Sequence, residues 1–312
     1  MDSNKKTLTS TKWHTQVERG SKFGIVILFY ILNYGGYWLA KFALIPVVGY
    51  FFITGVASRH ASLKYLRALH MYTQGHSPFP SYWNAFLHHY QFAISTLDKP
   101  WLWKGETNRF KFQIRGKEKL KQYIGKGVVV VGAHIGNFDA LRVIAEKQNI
   151  RVNVVMYRNN AQKINAVLNS MGGNLRIIEL VPGDVNTVLD LEERLLDGEM
   201  VALLCDRLPP NARAKTKQIY FLNDRAEFPI NPWIFCSLMK RPVLFAIAVK
   251  QGALKYTIYL EEFLSKPDLS FDDRSKFVNS CVSKYSRKLE KYCILHPLQW
   301  FNFFDFWKLN DS

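Results

Sequence analysis

Gly127-Val-Val-Val-Val-Gly-Ala-His-Ile-Gly-Asn-Phe-Asp139 runs from an unbroken apolar stretch through a polar turn into an amphipathic segment. Four consecutive β-branched residues between glycines read as a strand buried on both faces. Asn137 is a favourable helix N-cap, so a helix should begin at Phe138. That change of period puts His134 at the carboxyl end of the strand and Asp139 in the first helical turn, with both side chains able to face one crevice. An imidazole is well suited to removing a proton from a hydroxyl near neutral pH, and a neighbouring carboxylate fixes its tautomer and stabilises the imidazolium. Gly132 and Gly136 flank the histidine and leave room for close approach of a substrate. The same two side chains also fit a plain capping pair at a strand–helix junction.

Outward from this segment the pattern alternates. Strands are expected at Val128 to Ala133, Val152 to Met156, Leu175 to Leu180, Val201 to Leu204, Val243 to Val249 and Lys255 to Leu260. Helices are expected at Phe138 to Gln148, Ala161 to Met171, Val185 to Leu196, Pro232 to Met239 and Asp273 to Tyr292. Strands separated by helices of this length imply an α/β fold: a mostly parallel sheet with helices on both faces and its chemistry at the carboxyl ends of the strands. Arg158 and Asp206 each end or follow such a strand, on the edge that carries His134. Upstream, Tyr82, Trp83, Phe86, Tyr90, Ile94 and Leu97 recur at helical spacing, an amphipathic helix stopped by Pro100.

The chain divides into a polar, basic leader (residues 1–22), a membrane-associated and amphipathic helical region (23–104) and a catalytic domain (105–312). Phe23 to Ala40 is uncharged and close to the minimum length for a bilayer span. Trp13, Tyr30, Tyr34, Tyr37, Trp38 and Tyr50, with flanking Lys and Arg, suit a membrane interface, as an anchor or an in-plane hairpin; a buried helix pair is the other reading. A signal peptide does not fit the long polar leader.

With 42 Lys and Arg against 25 Asp and Glu, the 312-residue chain carries a formal net charge of +17. An anionic partner follows: nucleic acid, an anionic membrane or an acidic carrier protein. The basic residues are spread along the chain without a nucleic-acid-binding motif, which argues against nucleic acid. There is no Gly-x-Gly-x-x-Gly or Walker loop, so a nucleotide enzyme is disfavoured. Cys205, Cys236, Cys281 and Cys293 are widely spaced and read as reduced thiols facing cytosol; neither they nor His88-His89 make a metal site.

On these residues the chain resembles the bacterial lipid A late acyltransferases of the lysophospholipid acyltransferase superfamily, whose mark is a histidine, four residues and an acid. Phe112-Gln-Ile-Arg-Gly-Lys-Glu-Lys-Leu120, Met156-Tyr-Arg-Asn-Asn160, Leu203-Leu-Cys-Asp206 and His296-Pro-Leu-Gln-Trp300 are similar to further family elements. The resemblance implies an inner-membrane O-acyltransferase whose catalytic domain faces the cytoplasm. It would move a fatty acyl group from an acyl carrier protein or coenzyme A thioester to a hydroxyl of a membrane lipid or glycolipid, with no other cofactor and no covalent acyl-enzyme. It makes His134 the general base and Asp139 its orienting partner. Gly136, Asn137, Arg158 and Asp206 become substrate-binding residues, and amides near Gly136 and the helix N-terminus become the oxyanion donors. Two departures stand out: Asp139 where lipid A enzymes commonly have glutamate, and the tail Phe301-Asn-Phe-Phe-Asp-Phe-Trp307 in place of a histidine-arginine-arginine stretch. The tail looks more like relatives beside other glycolipid or aryl polyene pathways. Transfer of an aminoacyl or aryl polyene acyl unit, or noncatalytic lipid binding, are the alternatives.

Overall fold

The computed structural model describes residues 31–157, 176–180, 184–208, 215–265 and 273–308. Helices α1 (Gly36–Thr54), α2 (Val56–Tyr72), α3 (Tyr82–Leu97) and α4 (Lys99–Trp103) come first. Then follow β1 (Lys111–Arg115), α5 (Lys117–Tyr123), β2 (Val128–Gly132), α6 (Phe138–Lys147), β3 (Val152–Tyr157), β4 (Ile177–Leu180), α7 (Val185–Leu196) and β5 (Met200–Leu204). A hairpin, β6 (Thr216–Phe221) and β7 (Asp224–Pro229), precedes α8 (Asn231–Met239), β8 (Val243–Gly252), β9 (Lys255–Leu264) and α9 (Arg274–Leu295).

Seven strands form one sheet in the order β1-β9-β8-β2-β5-β3-β4, while β6 and β7 pair by themselves. All neighbours in the large sheet are parallel except β8 and β9. The α/β reading of the sequence therefore holds. The strand β1 and the hairpin were not foreseen, and the expected helix Ala161 to Met171 lies outside the described residues.

Side chains along β2 alternate between two cores, as the two-residue period of a strand requires. Val129 and Val131 face a core built with Tyr65 and Leu69 of α2, Leu191 and Leu195 of α7, Trp233 of α8, and Tyr285 and Tyr292 of α9. Val128 and Val130 face the other, with Ala40 and Leu44 of α1, Trp101 of α4 and Leu141 of α6. Helix α3 contributes Ala85 to the first core and Ile94 and Leu97 to the second, so it crosses the edge of the sheet. The main chain at its far end meets the turn after β2: Asn137 Nδ2 donates to the Ser95 carbonyl at 3.0 Å. All four cysteines are buried free thiols.

Helix α1 is long and apolar enough to cross a membrane. Tyr37, Ala40, Leu44 and Val48 make one buried stripe. Apart from Lys41 and Thr54 the remainder is largely apolar as well, and Trp38, Phe42, Tyr50 and Ile53 are exposed. A face of that kind on a protein surface is suited to lipid or to a partner rather than to water.

Candidate active site

Gly132 of β2 pairs in register with Leu204 of β5. Two residues beyond each stand His134 and Asp206, and parallel neighbours in register bring residues at equal offsets together. The Asp206 carboxylate grips the histidine twice. Its Oδ2 accepts from the His134 main-chain N–H at 3.0 Å and its Oδ1 meets His134 Nδ1 at 2.7 Å. The Trp300 indole donates to Oδ2 at 2.9 Å. Burial alone would raise the Asp206 carboxyl, but His134, Arg207 and Trp300 hold it below its ordinary range. An ionised acceptor at Nδ1 places the proton there and leaves the Nε2 lone pair for chemistry. The side chain of Asp206 is 1% exposed and that of His134 29%, so of the two only the histidine reaches the surface.

Burial and the Arg207 guanidinium lower the His134 pKa, Asp206 opposes them, and the Lys99 ammonium adds to the lowering. The imidazole is thus neutral at neutral pH. Arg207 is itself anchored, donating from Nη2 to the Phe301 carbonyl at 2.6 Å with its guanidinium over Phe304.

Asp139, the partner that spacing assigns to His134, is turned elsewhere. Its Oδ1 accepts from Trp103 Nε1 at 2.8 Å, and its Oδ2 lies 3.5 Å from Lys99 Nζ. Five residues of separation across a strand-to-helix turn aim the two side chains apart, whereas strand register brings Asp206 in. Gly136 and Asn137 are tied into the protein itself. At Gly136, φ is +68° and a Cβ would lie 2.0 Å from the Ala248 carbonyl oxygen, so the glycine permits the close approach of β8. Asn137 caps α6 as expected, accepting from the Asp139 N–H at 3.1 Å. Its Nδ2 is taken by Ser95 and by Tyr256 Oη at 3.2 Å.

Several amides of the turn are engaged as well. Gly136 N–H donates to the Gln299 carbonyl (2.9 Å), Asn137 N–H to the Ala248 carbonyl (2.7 Å) and Ala140 N–H to the Asn137 carbonyl (3.1 Å). With His134 and Asp139, five amides at the turn are engaged with protein acceptors. Arg158 lies outside the described residues. Among the described residues no cluster of three or more His, Cys, Asp or Glu is placed to hold a metal ion.

The turn is braced from behind. Gln299 pairs with the Lys250 main chain through both ends of its amide, at 2.8 and 2.7 Å. Phe301 N–H donates to the His134 carbonyl at 2.8 Å. Lys250 Nζ and Tyr256 Oη both bind Asp98 Oδ2 in the interior. His88, its pKa lowered to about 3 by burial and by His89, bridges Ser62 Oγ and the Trp300 carbonyl at 2.8 Å each. The tail is largely core: Trp300, Phe306 and Trp307 are buried with Phe221, and Asp305 pairs with Lys64 at 2.8 Å. Packing accounts for its aromatic composition.

Residues 84–309 match the family described as bacterial lipid A biosynthesis acyltransferase. The chain belongs to that family. No curated protein matches the chain. The matched span includes His134, Asp206, Trp300, Lys99 and Asp139, so the whole site lies within the part shared with the lipid A biosynthesis acyltransferases. Membership makes the protein a member of an acyltransferase family and supports acyl transfer to a lipid-like acceptor. Sequence reasoning missed Lys99, Trp103, Arg207, Asp98 and Lys250. Asp206 was singled out but not paired with His134, although equal offsets from two adjacent strands carried that signal.

Proposed function

We propose that the protein moves a fatty acyl group from a thioester of acyl carrier protein or coenzyme A to a hydroxyl of a membrane lipid or glycolipid. His134 is the base and Asp206 its orienting partner. The observation that carries this reading is the clamp of Asp206 on both the ring and the amide of His134, with Nε2 left toward the crevice. Nε2 takes the hydroxyl proton as the oxygen attacks the thioester carbonyl, and the π pair moves onto oxygen. Collapse re-forms the carbonyl, the C–S bond breaks, and the leaving thiolate takes the proton from the imidazolium. The apolar exposed face of α1 and the net charge of +17 suit attachment at the cytoplasmic face of a bacterial inner membrane, where both the bilayer and an acidic carrier protein attract basic surfaces.

Lipid mass spectrometry on cells with and without the gene tests the reaction: one species should differ by a fatty acyl mass, and the His134→Ala gene should not restore it. A difference by an amino-acid mass would favour aminoacyl transfer, and restoration by His134→Ala would end the base assignment. Because the neutral imidazole is the active form and its pKa is lowered, kcat/KM should fall only on acidification below about 6.5, the ordinary histidine value.

A further inference from the structure

Acyl transfer through a tetrahedral intermediate needs a donor aimed at the developing oxyanion. Around His134 the main-chain N–H groups of His134, Gly136, Asn137, Asp139 and Ala140 already have protein acceptors. A side-chain cation close to the turn is a further candidate donor. Lys99 opens α4, immediately after α3 has crossed the sheet edge, and its ammonium approaches Asp139 Oδ2 at 3.5 Å. The Trp103 indole, one helical turn later, fixes the other oxygen of that carboxylate. The lysine side chain is 35% exposed against 14% for Asp139, so the acid is the inner anchor and the ammonium faces outward. Lys99 also acts electrostatically on His134, so its charge is felt at the imidazole.

We propose that Lys99 is a catalytic residue, its ammonium stabilising the oxyanion formed from the acyl carbonyl, and that Asp139 with Trp103 is the positioning pair that holds it there. The inference rests on the acyl-transfer reading. It gives the acid of the histidine-x4-acid spacing a task other than orienting the base: it locates a cation. No proton need leave Lys99. The oxyanion charge appears as the new C–O bond forms and disappears as the C–S bond breaks, and the ammonium donates a hydrogen bond in between.

The test uses the full-length protein in detergent–lipid micelles. Fatty acyl thioesters of acyl carrier protein serve as donor, and the total lipid of cells lacking the gene serves as the acceptor pool. Lys99→Met, a change at a part-exposed position whose folding is checked by its melting curve, should lower kcat by about 10²–10³-fold with the donor KM held within about threefold. Lys99→Arg, which keeps a cation, should recover part of the loss; Lys99→Gln should not. With one cation removed from beside His134, the acid limb of kcat/KM should move to higher pH in Lys99→Met, a change that a merely structural role would not produce. Asp139→Asn should lower kcat in the same direction by less, without that movement. A kcat for Lys99→Met within about tenfold of the parent, a loss carried by KM, or an unmoved acid limb each overturns the proposal. If His134→Ala is inactive while Lys99→Met works, the Lys99 role alone falls. Turnover by His134→Ala would instead remove the underlying reading.

Discussion

Two buried carboxylates stand on opposite sides of the turn that follows β2, and only one of them holds a side chain that reaches solvent. Asp206 lies with Trp300 against the first core, and Asp98 lies with Tyr256 against the second. Both are fully enclosed and each holds a basic side chain. Asp206 holds a histidine whose pKa is lowered by burial and by Arg207 and which keeps an exposed face. Asp98 holds Lys250, whose side chain is 4% exposed and whose ammonium is boxed by the rings of Tyr37 and Tyr256. Burial raises the Asp98 carboxyl and lowers the Lys250 ammonium, each against the pull of its partner. A buried acid–base pair is thus not a reaction centre by itself; access and a partner that can exchange a proton in the working range make it one.

The comparison breaks most sharply at Asp206. Asp206→Asn should cost about 10⁴-fold in kcat, the scale seen when a triad acid is neutralised and the imidazole adopts the wrong tautomer, while melting changes little. Equal activity in the variant and the parent would remove Asp206 from the mechanism. The matching change across the turn should be felt in folding. Lys250→Met strands a buried carboxylate and should lower stability by about 3–5 kcal/mol in denaturant unfolding, whereas Asp98→Leu/Lys250→Met should regain most of it. A single variant as stable as the parent would mean that the pair does not brace the turn.

The smallest effect belongs to His88. Its folded pKa, about 3, lies below the unfolded value, so its contribution to stability is present above pH 6.5 and is lost as pH falls toward 3. Between pH 7 and 5 it should account for about 2 kcal/mol of destabilisation. His88→Gln, which cannot titrate, should show a shallower slope, and identical slopes would assign the acid sensitivity elsewhere.

Much of the fold was legible. The valine run of β2, the Asn137 cap and the periodicity of α3, α7 and α9 each rest on neighbours a few residues away, so local pattern suffices. The hairpin β6–β7 was not legible because its turn is Leu222-Asn223, both at positive φ, where Asn-Gly or Asp-Gly would have announced it. Tertiary contact holds it instead: Leu222 is buried, and its N–H donates to Glu290 of α9 at 2.7 Å. Strand β1 was hidden as a short edge strand with a charged residue at each end, paired to β9 far along the chain.

The site divides in the same way. His134 could be named from the chain alone, because a strand end, a cap and an imidazole are local facts. The choice of its carboxylate could not. Asp139 is near in sequence and Asp206 is 72 residues distant, and only the parallel register of β2 with β5 decides between them. A strand-to-helix turn diverges adjacent side chains, while a sheet converges distant ones; the amino-acid order singled out the histidine, and the sheet decided which carboxylate holds it.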